Sequence, residues 1–546
     1  MSPSAARYHL ALGGVILLAL GLRLARLNFQ PLWWDEGWSV YFAAADVSTL
    51  LELTAVDIHP PLYYLLLRAW SEVVGWGAPS ARLLSVLIGT ATVPLLYLAG
   101  RRLFGRQAGL LAAALLAVSP LHVYYSQEVR MYGLVTLLGL LALLFALRWQ
   151  AAGDGRGRWA SWLGYVVAAA AALHTQYYAA FLLAGLNLAV LAGWLRPLGS
   201  EGRPLASRSS SVAAWLGAQL AVVLLFVPWL AYAGRALMTY VQFKVSVEQD
   251  PTLGPVVYLA RHLSAFFAGH AEGGLAPAWW LGLLPPALLL LALAARRGAG
   301  ARRAGGALAW PLAVLAAALV GGFAVNLALP FNPPRSERLL LLALPAALLL
   351  AAAGLARLAR RGPRLAAAVG AAFGIVALLS LGFFYAVPRY PQDDYRPVAA
   401  RIRALGEPTD AVLCVHPWQW GYVRAYIPRD EERPALALTP REVIPRERQI
   451  WADEPASLAA GLDSLLAEHG RLWLLDHRTM GRVLEERMEA HLAAAAYPAL
   501  SEWYGENTVL SLFAAGEPQP GGVWATFGDW LVLEAAALGA GPLEAG

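Results

Sequence analysis

Residues 9–38 read HLALGGVILLALGLRLARLNFQPLWWDEGW. A helix rises about 1.5 Å per residue, so about 20 apolar residues cross the hydrocarbon core of a bilayer. The run LALGGVILLALGL, with Arg7 before it, fits the start of such a crossing. It could open a secretory signal, but no small-x-small cleavage site follows and many equally apolar runs come later, so it reads as an uncleaved first span. Directly after it, WWDEGW (33–38) sets Asp35 and Glu36 among three tryptophans. Tryptophan is expected at a membrane interface whatever the function, so the carboxylates carry the information.

The rest of the chain repeats the pattern. Of 546 residues, 58% are hydrophobic and only 14% charged, and the mean hydropathy is +0.52. Such a chain is an integral membrane protein. The net charge of +6 does not point to nucleic acid, because the arginines lie in short clusters between apolar runs and not on one amphipathic face. The single cysteine, Cys414, excludes an internal disulfide, and its setting in AVLCV reads as a buried strand.

About eleven runs are long enough to span, near 8–27, 82–103, 107–125, 131–149, 160–176, 178–195, 212–232, 277–295, 306–329, 338–356 and 365–387. The least marked is 160–195, where HTQYY separates two short spans. If the runs alternate in direction, the arginine-rich connectors RRLFGRQ, RWQAAGDGRGR, LRPLGSEGRPLASR, ARRGAGARRAGG and ARLARRGPR share one side. That side is cytoplasmic by the positive-inside rule. The opposite connectors, 28–81, 126–130, 233–276, 330–337 and everything after 388, hold Trp, Tyr, His, Pro and carboxylates, so the chemistry is expected outside.

After residue 388 the composition changes. YPQDDYRPVAARIRALGEPTDAVLCV reads as loop, amphipathic helix, turn and buried strand, and ASLAAGLDSLLAEHGRLWLLDH repeats helix then strand. TVLSLFAA and VWATFGDWLVLEAAAL alternate as strands do, joined by GEPQPGG. The expected division is a membrane domain over 1–388 and an outward α/β domain over 389–546.

Several polar groups collect at the outer mouths of the spans. Asp35 and Glu36 lie just beyond the first span, where a carboxylate in a partly dry cleft can take a proton; a solvated loop is the plainer reading. In DIHPPLYY (57–64), two prolines hold His59 extended beside Asp57 and let an interfacial helix begin at LYYLLLRAW. In YYSQEVRMYG (124–133), Glu128 and Arg130 must pair or face a watery cavity. They could form a mutual ion pair, or the arginine could clamp a phosphate. His174 in LHTQYY is either a structural histidine or a contact. Arg335, Glu337 and Arg338 mark the entry of a late span, where snorkelling also explains arginines. Lys244, Arg261, His262 and His270 add positive groups in 233–276.

Together, the acidic pair, HPPLYY, SQEVRMY and HTQYY, with DYRPVAARIRALGEPTDAVL and FGDWLVLEAAAL near the end, resemble the bacterial branch of the C-type (GT-C) glycosyltransferases. These are family-39-like proteins, relatives of the protein O-mannosyltransferases and the lipid A aminoarabinose transferase. The resemblance implies a polytopic α-helical membrane protein of GT-C fold in the bacterial inner membrane. It also implies transfer of a sugar from a polyprenyl-phosphate donor to a lipid, protein or glycan acceptor on the outer face. Asp35 would be the catalytic base with Glu36 supporting it. Arg130 and Tyr132 match the family's R-x-Y pattern. His59 stands before the double proline where the aminoarabinose transferase has lysine, and Arg338 lacks the tyrosine that often follows. A divalent metal near Asp35 is compatible with this chemistry, but no residue spacing identifies one.

Two other readings compete. WWD resembles the acceptor motif of oligosaccharyltransferases, which move a whole glycan as polysaccharide ligases do, but that motif belongs to their outer C-terminal domain. A transporter would carry broken helices and charges at mid-span, whereas here the polar groups gather at one face.

Overall fold

The computed structural model describes residues 3–151, 155–194, 205–248, 251–270, 273–295, 305–330, 335–438, 455–478, 483–515, 525–527 and 531–533. The connectors at 195–204 and 296–304, the loop GEPQPGG and most of FGDWLVLEAAAL lie outside them. All eleven expected runs fall on helices. Among the described residues eight helices are long and apolar enough to cross a membrane, and a ninth crossing forms if one bent pair counts as a single span. The chain is therefore a multi-pass membrane protein.

Between α1 (Pro3–Leu24) and α5 (Ala78–Phe104), the expected loop holds three helices, α2 (Trp34–Ala44), α3 (Val47–Ala55) and α4 (Leu62–Val74). Helix α4 begins directly after Pro61, as the double proline predicts. The bent pair is α6 (Arg106–Ala117) and α7 (Pro120–Ser126), at 59°. Pro120 cannot continue the ladder, and the carbonyls freed at the end of α6 need donors. Arg23, fully buried on α1, supplies them: its Nη1 donates to Ala117 O (3.1 Å) and its Nη2 to Leu116 O (3.2 Å).

The bundle continues through α8 (Tyr132–Ala151), α9 (Arg156–Leu173), α10 (Ala179–Trp194) and α11 (Leu205–Glu248). The break between α9 and α10 falls on HTQYY, as expected. Helix α11 corrects the sequence reading, which placed a loop from 233; it runs on to Glu248 because no proline interrupts AYAGRALMTYVQFKVSVE and its one glycine, Gly234, is tolerated. After α12 (Pro255–Ala268), the last spans are α13 (Leu284–Ala295), α14 (Gly305–Ala328), α15 (Leu344–Ala359, entered by a 3-10 turn from Ser336) and α16 (Pro363–Ala386). Helices approach closely at small residues: a Cβ on Gly100 of α5 would lie 2.8 Å from Gly109 Cα of α6.

The C-terminal part is a small α/β domain. Its sheet has the order β2-β1-β3-β5-β4, built from β1 (Ala411–Cys414), β2 (Ala435–Leu438), β3 (Arg471–His477), β4 (Tyr497–Tyr504) and β5 (Thr508–Ala514). Strand β1 runs parallel to β2 and β3, and β5 antiparallel to β3 and β4. Strand alternation splits it cleanly. Ala411, Leu413, Leu472 and Leu474 face a core with Leu462, Leu466, Met488 and Leu492. Val412, Cys414, Trp473 and Leu475 join the core continuous with the membrane bundle. The expected helix-to-strand repeats appear as α17 (Arg396–Leu405) into β1 and α19 (Pro455–His469) into β3. Helix α18 (Pro417–Tyr426) lies between β1 and β2 and packs on α2; residues 525–527 and 531–533 pair antiparallel apart from this sheet.

Candidate active site

Asp35 and Glu36 open α2. Successive residues on a helix point about 100° apart, so neighbouring carboxylates meet different surroundings. Asp35 keeps 27% of its side chain exposed, whereas Glu36 keeps 1%. Glu36 turns inward: its oxygens accept from Arg82 Nε (3.0 Å) and Nη2 (2.8 Å), from Val129 N (3.0 Å) and from Trp33 N (3.4 Å). Arg82, on α5, also donates to the carbonyls of Leu27, Gln30 and Pro31. Glu36 therefore ties α2 to α5 and to the loop that carries Arg130. Its carboxylate is buried among these partners and does not share the exposure of Asp35.

Asp35 sits between two guanidiniums. Arg130 Nη2 and Arg338 Nη2 each lie 3.5 Å from its Oδ2. Arg130 is itself fixed, with Nη1 donating to Asp35 O (3.0 Å) and Ser39 Oγ (3.1 Å) and Nη2 lying 3.4 Å from His59 Nε2. Arg338 Nε donates to Tyr132 Oη (2.9 Å), and its guanidinium lies 5.2 Å from the Trp33 ring. Burial works to raise the Asp35 carboxyl, but the charges of Arg130 and Arg338, with His59 and Lys244, outweigh it and hold Asp35 below the ordinary carboxylate range. His59 is held by Asp57 (Nδ1 to Oδ2, 3.0 Å), and burial pushes its imidazole below the ordinary value.

Not every expected contact forms. The mutual ion pair of Glu128 and Arg130 is absent: two residues apart in a turn, they diverge, and Glu128 pairs with Arg389 Nη1 at 3.2 Å. His174 does not join Asp35; its Nε2 lies 3.2 Å from Leu225 O and its ring meets Phe226 edge-on.

A cavity of about 400 Å³ is lined by Tyr124, His270, Arg335 and Arg389 and by apolar groups that include Phe383 and Phe384; Asp35, Arg130 and Arg338 are not among its lining residues. Tyr390 links it to WWDEGW: its ring stacks on Trp33 at 5.2 Å, and its hydroxyl accepts from Arg335. Burial, reinforced by the charges of Arg335, Arg338 and Arg389, pushes His270 far below its ordinary value, although Glu337 Oε2 lies 3.6 Å from its Nδ1. Arg82, Arg389 and Tyr390 are the site residues sequence reasoning missed. PRYP at the end of the last span carried the signal for two of them.

The sequence also admitted a divalent metal. Among the described residues no three His, Cys, Asp or Glu side chains converge as a metal would require. The nearest charges to Asp35 are cations, which repel another. The metal therefore finds no ligand set here.

Residues 58–232 match the family described as dolichyl-phosphate-mannose-protein mannosyltransferase. The fold is similar to that of ArnT from Cupriavidus metallidurans in the apo state, with a TM-score of 0.57 at 15% identity, covering 93% of this chain and 98% of that one. The same enzyme bound to undecaprenyl phosphate gives a TM-score of 0.52 at 15% identity, covering 94% and 98%. The archaeal oligosaccharyltransferase AglB from Archaeoglobus fulgidus, in complex with an inhibitory peptide and a dolichol-phosphate, gives 0.50 at 12% identity, covering 87% and 70%. No curated protein matches by sequence. The protein has the C-type glycosyltransferase fold.

Proposed function

We propose that this membrane glycosyltransferase moves a monosaccharide from a polyprenyl-phosphate carrier to an acceptor hydroxyl or amine on a lipid, protein or glycan, in one inverting displacement. The observation that carries the reading is Asp35: a solvent-reaching carboxylate bracketed by Arg130 and Arg338, with a cavity of apolar walls lined by Arg335 and Arg389 connected to it through the Tyr390–Trp33 stack. A lipid phosphate needs that pairing of cations with apolar surface. ArnT, whose fold this chain resembles, has been solved with undecaprenyl phosphate bound.

In the reaction the acceptor oxygen or nitrogen bonds to the anomeric carbon, the carbon–oxygen bond to phosphate breaks, and the phosphate leaves with the electron pair. The acceptor's proton passes to Asp35. The phosphate gains charge as it leaves, so arginines already fixed near it stabilise the transition state more than the ground state. Before donor binding those arginines neutralise Asp35; a phosphate that draws them off leaves the carboxylate a stronger base. Glu36 acts through Arg82 and Val129, holding the helix that presents Asp35. The indole N–H of Trp33 is buried with no partner among the described residues, a donor available to a sugar hydroxyl. His59, Glu128 and Tyr132 support the arginines, and His174 holds α11.

The arginine-rich connectors favour a site and C-terminal domain on the extracytoplasmic face of the bacterial inner membrane, with the domains meeting at 388/389. The AglB-like fold supports whole-glycan transfer as a second reading, but a cavity of about 400 Å³ suits one sugar and a phosphate. The test is to offer the purified protein a panel of polyprenyl-phosphate monosaccharides and lipid-linked oligosaccharides and to detect released polyprenyl phosphate or diphosphate by mass. Release from a monosaccharide donor is expected. Consumption of oligosaccharide donors alone would overturn the monosaccharide reading.

A further inference from the structure

A second cleft lies at the other end of the bundle. Helix α5 has 27 residues, about 40 Å at 1.5 Å per residue, and Arg82 sits at its active-site end. Its last turn carries Arg101 and Arg102. Helix α8 likewise begins at Tyr132, which holds Arg338, and carries Arg148 in its last turn. At this far face the two helices enclose a cleft of about 300 Å³ lined by Leu95, Leu98, Leu141, Leu144 and Phe145 together with all three arginines.

Arginines at this face are expected from topology alone, and cations at helix C-termini are favourable in any case. Topology does not require three of them to rim one apolar cleft. Arg102 reaches across from α5 to donate to Leu147 O of α8 at 3.0 Å, so one guanidinium bridges the two helices at the rim of the cleft while staying exposed. None of the three forms an ion pair with a described acidic side chain. The contrast with Arg82, Arg130, Arg338 and Arg389, all paired to carboxylates, is complete. Three clustered positive charges with no acid paired to them among the described residues, above a floor of leucine and phenylalanine, suit an anion attached to a hydrocarbon.

We propose that this cleft binds an anionic phospholipid of the surrounding bilayer. Its phosphate lies among Arg101, Arg102 and Arg148, and one acyl chain lies along Leu98, Leu141 and Phe145. The guanidiniums match phosphate oxygens two at a time, and basic pockets between spans recognise lipid headgroups by this chemistry. A zwitterionic lipid offers the same phosphate but brings a cation among three others, so it binds more weakly. The site is independent of the sugar donor.

Native mass spectrometry of the full-length protein, exchanged into detergent with phosphatidylglycerol, phosphatidylcholine or inorganic phosphate alone, reads occupancy directly. Phosphatidylglycerol adducts are expected to survive where phosphatidylcholine adducts do not. Arg101→Ala/Arg102→Ala/Arg148→Ala should weaken phosphatidylglycerol retention about 100-fold. Because that variant changes the charges that set topology, Leu141→Trp, which fills the cleft and keeps every arginine, is the second test and should also lose the adduct. Arg357→Ala/Arg360→Ala removes arginines of the same face outside the cleft and should keep it. Equal retention of the two lipids, wild-type retention in Leu141→Trp, or an equal loss in the Arg357/Arg360 variant would overturn the site. Displacement of the lipid by millimolar inorganic phosphate would make it a free-phosphate site instead.

Discussion

The two ends of α5 and α8 use arginine in opposite ways. At the active-site end each guanidinium is sequestered and paired: Arg82 with Glu36 at 2.8 Å, Arg130 and Arg338 with Asp35 at 3.5 Å. At the far end Arg101, Arg102 and Arg148 are exposed and border an apolar cleft whose described lining holds no carboxylate. A charge taken out of water must be matched by groups the fold supplies, whereas an exposed one is stabilised by solvent or by whatever ligand arrives. Buried pairing therefore marks the end where geometry is fixed, and unpaired exposure the end left open to a ligand.

The largest effect expected from breaking this contrast is at Glu36. Glu36→Gln leaves Arg82 buried without its counter-charge, which costs about 3–5 kcal/mol, read as a lowered unfolding temperature in detergent; an unchanged value would mean that solvent reaches the pair. Arg130→Ala should reduce kcat about a hundred- to a thousand-fold and weaken donor binding, and unaltered donor affinity would leave Arg130 as a brace for α2 alone. Next comes the docking of the C-terminal domain. A Cβ on Gly421 of α18 would lie 2.0 Å from Gly37 O of α2, so Gly421→Ala must push α18 off the helix that carries Asp35. A loss of about 1–3 kcal/mol with a fall in turnover is expected, and stability lost without any change in turnover would show that the domain does not position Asp35. The smallest effect concerns pH. The arginines hold Asp35 below the ordinary carboxylate range, so the acid limb of kcat/KM lies low, and Arg338→Gln should move it to higher pH. An unmoved limb would assign it to another group.

Much of this was legible in the sequence, and the losses have a common cause. Apolar runs of span length locate the helices because lipid leaves few other ways to satisfy the backbone. Asp35, Arg130 and Arg338 stood out because charges at span mouths are costly unless used. What composition cannot show is pairing across the bundle. Glu36 meets Arg82 from 46 residues away and Glu128 meets Arg389 from 261 residues away, so Glu36 read as a helper of Asp35 and Glu128 as a partner of Arg130. Helix α2 was hidden for a local reason: Trp33 precedes it with no side-chain cap, and WWDEGW reads as interface. The glycine at 37 is explained by the close approach of Gly421, which no pattern within WWDEGW could show.

In the proposed reaction Asp35 takes the acceptor's proton while the arginines hold the phosphate. Asp35→Asn keeps the size and polarity of the side chain and removes the base. Donor binding and single-turnover release of polyprenyl phosphate, measured on the same preparation with the donor the panel identifies, test it most directly. The expected result is donor affinity equal to or tighter than wild type with turnover lost about a hundred- to ten-thousand-fold; full turnover in Asp35→Asn would contradict the assignment.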